Sequence, residues 1–294
     1  MGRPFFAVRK KKSINFFRNL INYKMRLSIR KQWNISLSDR KCWCVCAQKG
    51  KMKYENLRSR NGSSAGRFKT IVGAEYVLTE PENLEQYQTD EETDPRKFHL
   101  PEAVVLPKDA QEIAAVIKLA NTYDVPVTVR SGGTSLAGGA IPVCGGIVLL
   151  MERLNKIIEL NAEGMYMEVE AGVRTVDIQK YANEAGFLYA GDPCSAESCL
   201  IGGNIATNAG GNKAVRYGVT RDQVYAVEVV TPTGEIVELG ARLKKKSTGY
   251  CLEQLIMGSE ARWLITRRRL SCSRSRLTDL ICWLCSAIRS RPWT

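Results

Sequence analysis

From Phe68 onward the chain breaks into short apolar runs separated by turn residues, with two segments of helical period among them. Pro101 and Pro107 enclose Ala103-Val104-Val105-Leu106, which predicts a short buried strand. Asp109 stands three residues before Glu112, the spacing of a capping box. Ile113, Val116, Ile117 and Ala120 then recur on one face of a helix that Asn121 and Asp124 end. Val127 to Arg130 predicts the next strand. Ile147 to Met151 and Ile157 to Leu160 read as further strands, and Met165 to Glu170 alternates like a half-buried one. Thr175 to Ala185 predicts a second helix, with Gly186 where a C-cap glycine belongs. Val224 to Val230 and Glu235 to Leu239 flank Thr231-Pro232-Thr233-Gly234, a hairpin by its turn chemistry. A strand–helix–strand unit followed mainly by strands and hairpins predicts an α+β fold rather than a regular doubly wound sheet. Residues 1–51 hold neither the 3.6 nor the 2.0 period. Met52 opens a stretch that reads as a natural start, and 58–66 again lacks pattern.

Composition and charge sharpen that division. The 294 residues are 44% hydrophobic and 25% charged, as in a globular protein, and no apolar run approaches the length of a membrane span. The N-terminus is basic but lacks a clean apolar core with a cleavage site, so no signal peptide is expected. The net charge of +13 points to nucleic acid or acidic membrane, but its distribution does not. Residues 1–51 hold 14 Lys and Arg against Asp39 alone, and 262–294 hold 8 Arg against Asp279 alone; the middle is acidic, at −7. All five tryptophans and six of the ten cysteines also lie in the ends. Cys42, Cys44 and Cys46 alternate, and Cys282 and Cys285 form a lone Cys-x-x-Cys. With His99 the only histidine, no metal site is expected.

Two stretches carry candidate chemistry. Val127 to Gly146 turns from a β-branched run into Ser131-Gly132-Gly133-Thr134-Ser135-Leu136-Ala137-Gly138-Gly139. Glycine pairs after a strand are most often a tight turn. Around a Thr-Ser core, they also present bare backbone N–H groups to an anion. The second stretch, Asp192 to Gly211, is again small residues and glycine pairs, with Asn204, Thr207 and Asn208 as side-chain donors. Ile201, Ile205 and Ala209 there also fit a small-faced helix packed closely on a neighbour. Two such stretches suggest one extended anionic cofactor held from both sides.

Together with Pro101 to Pro107, Met151 to Ile157, Arg216-Tyr217-Gly218, Thr248-Gly249-Tyr250 and Gly258-Ser259-Glu260, these stretches resemble the PCMH-type FAD-binding domain of the vanillyl-alcohol oxidase superfamily. Within it they look like the glycolate oxidase subunit, D-lactate dehydrogenase and D-2-hydroxyglutarate dehydrogenase group. The resemblance implies a fold of two α+β subdomains with FAD between them and irregular basic tails at both ends. The implied division is a basic tail over 1–51, the FAD-binding domain over 68–266 and a basic tail over 267–294. It implies cofactor-binding roles for Arg130, Ser131, Gly132, Gly133, Thr134, Ser135, Gly138 and Gly139 on the pyrophosphate side. Pro193, Ser198, Gly202, Gly203, Ala206, Thr207, Asn208, Gly210 and Gly211 would line the rest. Some relatives attach FAD through a histidine in the first loop; Arg130 to Thr134 contains none, so FAD is expected to be non-covalent. Ala196-Glu197 departs from the Lys-Gly frequent in the family.

The implied activity is oxidation of a small D-2-hydroxy acid, with electrons passed to a non-oxygen acceptor. A cytoplasmic location is expected, with peripheral membrane association left open and no nucleic-acid partner. The catalytic histidine and metal-binding histidines of the family belong to a larger domain that should follow, so this chain's catalytic residues stay unassigned. Where the family continues Gly-Thr-Leu after Gly-Ser-Glu, this chain has Ala261-Arg262-Trp263, which is what Gly-Thr-Leu codons yield when read one base later. The C-terminal tail is therefore expected to be a frame-shifted remnant of the substrate domain, and the N-terminal tail either disordered or out of the native frame. Sequencing the locus should find the family's substrate domain downstream in another frame; no intact frame there would sink this reading.

Overall fold

The computed structural model describes residues 63–272 apart from 93, 242–246, 248 and 261–263. All described residues fall in one compact unit, Tyr54–Thr294. The expectations for 1–51, Thr248, Ala261 to Trp263 and the part of the C-terminal tail over 273–294 lie outside the described residues. Among the described residues no helix is long and apolar enough to cross a membrane.

Two sheets organise the fold. The first has four strands: β1 (Val77–Leu78), β2 (Ala103–Val105), β3 (Val127–Arg130) and β4 (Ile147–Leu150). Their order is β1-β2-β4-β3, parallel except for the antiparallel β1 edge. Helices α1 (Ser63–Val72) and α2 (Ala110–Thr122) cover one face. Strand β4 reads Ile-Val-Leu-Leu because both its faces are buried, as parallel strands require. Ile147 and Leu149 join Phe68, Val72, Ile113 and Val116 in the main core, while Val148 and Leu150 join Leu84 and Val104 on the other side. The α2 cap departs from the expected box in one detail. Asp109 accepts the Glu112 N–H at 2.8 Å, but the Glu112 carboxylate reaches back to the Lys108 N–H, one residue earlier than a reciprocal pair would.

The second sheet is antiparallel, in the order β5-β6-β9-β7-β8. Its strands are β5 (Ile157–Asn161), β6 (Tyr166–Glu170), β7 (Val224–Val230), β8 (Ile236–Gly240) and β9 (Leu264–Ser271). Strands β7 and β8 form the expected hairpin, closed by Gly234 at φ 79°. Helices α3 (Thr175–Glu184), α4 (Ile201–Thr207) and α5 (Leu252–Ile256) contribute Ile178, Ala182, Ile201, Ile205 and Ile256 to a second core with Met167, Val169, Val227 and Leu270. The two sheets with their helices match the expected pair of α+β layers.

Strand β9 is the departure. It lies at the centre of the second sheet, paired with β6 and β7, yet its second half, 267–271, falls in the segment assigned above to the C-terminal tail. The core therefore runs to Cys272, which is buried. Arg268 pairs with Val169 on one side and Val227 on the other. It is 1% exposed, and its Nε, Nη1 and Nη2 have no hydrogen-bond partner. Burial pulls its guanidinium down to about 9, against the smaller pull of Tyr189 and Glu170. An unpaired buried charge is among the most costly features a core can hold.

Replacing Arg268 by Leu should therefore stabilise the protein, by roughly 2–4 kcal/mol near neutral pH. The folded value lies below the unfolded one, so the charged form is penalised fully below pH 9. The penalty then falls as pH rises, because the folded chain sheds the proton first. Cys272, pushed up to about 11 by burial, acts in the opposite sense above pH 9 but is common to both proteins. Denaturant unfolding of Arg268→Leu beside the parent should show a stability gap that narrows above pH 9; an equal or lower stability for the variant at pH 7 would contradict the assignment.

Candidate cofactor site

Strand β3 delivers the first glycine stretch to the edge of the sheet, and the chain does not re-enter a strand until β4. The second stretch approaches from the other subdomain through the loop before α4. The two meet at Gly132. A Cβ there would stand 2.8 Å from the Ser198 carbonyl oxygen and 3.3 Å from the Leu200 nitrogen. A second close approach shapes the far end, where a Cβ on Gly211 would lie 1.6 Å from the Asp192 carbonyl oxygen. The chain reversal around α4 is held there by Lys213 on Asp192 at 3.2 Å and by Gln179, which donates to the Gly191 carbonyl and to Asp192.

Between the stretches lies an open cleft with about 1050 Å³ of atom-free space. Of the residues expected to bind cofactor, Ser131, Gly132, Gly133, Thr134, Ser135, Gly139, Pro193, Gly202, Gly203, Ala206 and Thr207 line it. Within the first stretch, the backbone N–H groups of Ser131, Gly132, Gly133, Thr134 and Ser135 have no acceptor among the described residues. Unspent amides on a concave wall are an anion cradle. Among the described residues no Lys or Arg lines the cleft, and Glu260 is the one carboxylate that does. Glu260 is held at φ 52° by its N–H on the Ala206 carbonyl at 2.8 Å.

Six expected site residues lie outside the lining, each for an identifiable reason. Arg130 sends its guanidinium to the Thr89 carbonyl, 2.5 Å away. Gly138 forms a turn at φ 73°, its carbonyl accepting the Ile141 N–H. Ser198 offers its carbonyl as the surface that Gly132 rests on, while its hydroxyl donates to the Ser195 carbonyl. Asn208 is the left-handed residue that ends α4, and its Oδ1 accepts the Arg221 N–H at 2.9 Å. Gly210 packs near Val219, and Gly211 on Asp192.

The side-chain donors expected from the second stretch are spent inside the protein too. Asn204 donates to Thr175 Oγ1 at 2.6 Å, and Thr175 Oγ1 in turn meets Cys199 Sγ at 3.2 Å. Thr207 donates to the Gly203 carbonyl. The Gly202 and Gly203 amides go to the carbonyls of Ala171 and Leu200. Around α4 the second stretch thus supplies shape, while the first supplies a run of donors. Val129, Ala137, Ala140, Met151, Cys199, Leu200 and Ile265 add wall that the sequence reading did not single out for binding. Most flank the two stretches, which is the signal that could have found them; Ile265 comes from β9, beyond the break in the family pattern, and carries no such signal.

The fold thus brings both glycine-rich stretches to the lining of one cleft. Residues 101–240 match the family model for the FAD binding domain. The chain is 42% identical over 194 residues to a D-lactate dehydrogenase of Anaerostipes hadrus, covering 66% of this chain and 40% of that protein. It is 43% identical over 189 residues to a D-2-hydroxyglutarate dehydrogenase of Xanthomonas citri pv. viticola, covering 64% and 40%. It is 39% identical over 166 residues to the glycolate oxidase subunit GlcD of Bacillus subtilis (strain 168), covering 56% and 35%. The match thus spans two fifths or less of the length of these relatives. In fold the chain is similar to 4-ethylphenol oxidase from Gulosibacter chungangensis, with a TM-score of 0.66 at 21% identity, covering 77% of this chain and 45% of that one. An alkyldihydroxyacetonephosphate synthase structure matches with a TM-score of 0.63 at 22% identity, covering 71% and 43%.

The contact at Gly132 gives the sharpest structural test of the cleft. Gly132→Ala should push the Ser198 carbonyl away and part the two stretches. We expect a loss of about 1–3 kcal/mol of stability together with weakened cofactor binding, read by thermal melts with and without FAD. Gly139→Ala, where the added Cβ meets nothing within 4 Å, should leave stability within about 0.5 kcal/mol.

Proposed function

We propose that this chain is the FAD-holding part of an FAD-dependent dehydrogenase of small D-2-hydroxy acids, with the cofactor held non-covalently. The observation that carries the reading is the row of unspent N–H groups from Ser131 to Ser135 on the cleft wall. The residues present fit the group: bare amides and hydroxyls suit a diphosphate, and the long cleft between two layers suits an extended molecule. The names of the sequence relatives support the substrate class.

When bound, FAD supplies a hydride acceptor, the chemistry that oxidising a hydroxy acid requires. The protein's part is to bind and orient. The Ser131 to Ser135 amides take up negative charge without a paired cation, and the hydroxyls of Ser131, Thr134 and Ser135 add donors. Val129, Met151, Leu200 and Ile265 keep water from the inner wall. Glu260 offers an acceptor for hydroxyl groups. His99 is exposed, lies outside the lining and gives its backbone N–H to the Gln88 carbonyl, which supports a cofactor not attached through histidine. Among the residues lining the cleft there is no histidine to take the proton of a substrate hydroxyl. We assign that role to the portion of the relatives that this chain does not match, and the electron acceptor with it.

The purified chain should be yellow and should quench FAD fluorescence at one equivalent, with the flavin released intact on denaturation. It should not turn over D-lactate, glycolate or D-2-hydroxyglutarate in a dye-reduction assay. A colourless protein without affinity for FAD would overturn the cofactor reading; turnover by the chain alone would overturn the assignment of the proton acceptor elsewhere.

A further inference from the structure

Arg130 ends β3 and opens the glycine loop, yet it does not line the cleft. It is 9% exposed. Its Nη1 donates to the Thr89 carbonyl at 2.5 Å, and its guanidinium carbon stands 5.6 Å from the Tyr87 ring centroid. Asp90, Tyr87 and Glu152 face it electrostatically, and Asp90 Oδ2 is buried without a hydrogen-bond partner. The other side of the guanidinium presses on the loop itself. A Cβ added to Gly133, which sits at φ 67°, would be 2.2 Å from Nη2 and 2.6 Å from Cζ. One further bond joins the same two segments: the Glu91 N–H donates to the Ser135 carbonyl at 3.1 Å. Residues 87–92 are therefore strapped to the glycine loop at both of its ends, by Arg130 and by Ser135.

Resting on the cofactor reading above, we propose that Arg130 is a positioning residue for the diphosphate of the cofactor. It acts through Gly133, holding the loop so that its free amides face the cleft, and it places a positive charge directly behind them. This answers an electrostatic question that the lining leaves open. A doubly charged group held by neutral amides alone is weakly compensated, and among the described residues no Lys or Arg side chain reaches the cleft wall. A guanidinium packed against the loop's backbone strengthens those amides without touching the ligand, because Coulomb interaction across a few ångströms of low-dielectric protein stays large. The bond to the Thr89 carbonyl holds its guanidinium in place.

The test uses the full chain and three probes: FAD, ADP for the diphosphate without flavin, and riboflavin for flavin without diphosphate. Arg153 is the control. It makes the same kind of link away from the cleft, donating to the Leu106 carbonyl at 2.7 Å and stacking 3.3 Å from the Tyr76 centroid. Arg130→Met should weaken FAD and ADP by about tenfold or more and leave riboflavin within about twofold. Arg130→Lys, which keeps the charge but loses the planar fork, should fall between, and it carries the test if the Met variant does not fold. Arg153→Met should lower the melting temperature without changing the ratio of FAD to riboflavin affinity. Equal loss of all three probes in Arg130→Met, or no loss of ADP, overturns the positioning role. A parent chain that binds neither FAD nor ADP overturns the cofactor reading instead.

Discussion

The cleft depends on one close backbone contact, Gly132 against the Ser198 carbonyl and the Leu200 nitrogen. It is where the loop of the parallel sheet touches the loop of the antiparallel one, and any Cβ there would separate them. Because the backbones meet directly, the loop amides are left with no side chain in front of them. The remaining features follow from this approach. Gly211 lets the second stretch fold back on Asp192, Asn204 ties α4 to Thr175, and the Gly258–Glu260 turn is held on α4 through the carbonyls of Ile205 and Ala206.

The two stretches look alike in composition but divide the work. The first leaves the N–H groups of Ser131 to Ser135 unspent, while the second spends the Gly202 and Gly203 amides, Asn204 and Thr207 on internal bonds. The reason lies in their secondary structure. A helix consumes backbone donors after its first turn, and the tight loop before α4 consumes those of Ala196, Ser198 and Cys199, whereas the amides of Ser131 to Ser135 in the irregular loop after β3 have no partner among the described residues. The charge that an anion needs then comes from behind the loop, through a guanidinium that the lining does not contain.

Strand β9 shows the opposite situation, in which backbone pairing and side-chain chemistry disagree. Its backbone completes the centre of a five-stranded sheet, Ile265 reaches the cleft, and Thr266 donates to Glu228 at 2.6 Å. Arg268 nonetheless sits in an apolar core without a partner. A strand consistent at every level would carry a small or apolar residue there. The mismatch falls just past Glu260, where the chain stops following the pattern it resembles.

The sequence alone determined most of the strand and helix pattern from Ala103 to Leu239, because burial imprints its period on local residue choice, but it missed the helix Ser63–Val72 and the short edge strand β1. Pro101 to Pro107, the Asp109 cap, the Ile113 to Ala120 face and the Thr231 to Gly234 turn are all local signals, and each element formed where they placed it. Small residues at 131–139 and 192–211 likewise disclosed a site, since bulk must be absent wherever backbone approaches a ligand. Only tertiary structure decided which of those residues face the cleft. Arg130, Ser198, Asn208 and Gly211 share the composition of the site but are turned to structural bonds by partners 13 to 66 residues away, at Thr89, Gly132, Arg221 and Asp192. Tertiary structure also made β9 a central strand despite its arginines. The donors of β6 and β7 need a backbone partner whatever its side chains are, and that demand is met between segments that local pattern does not join.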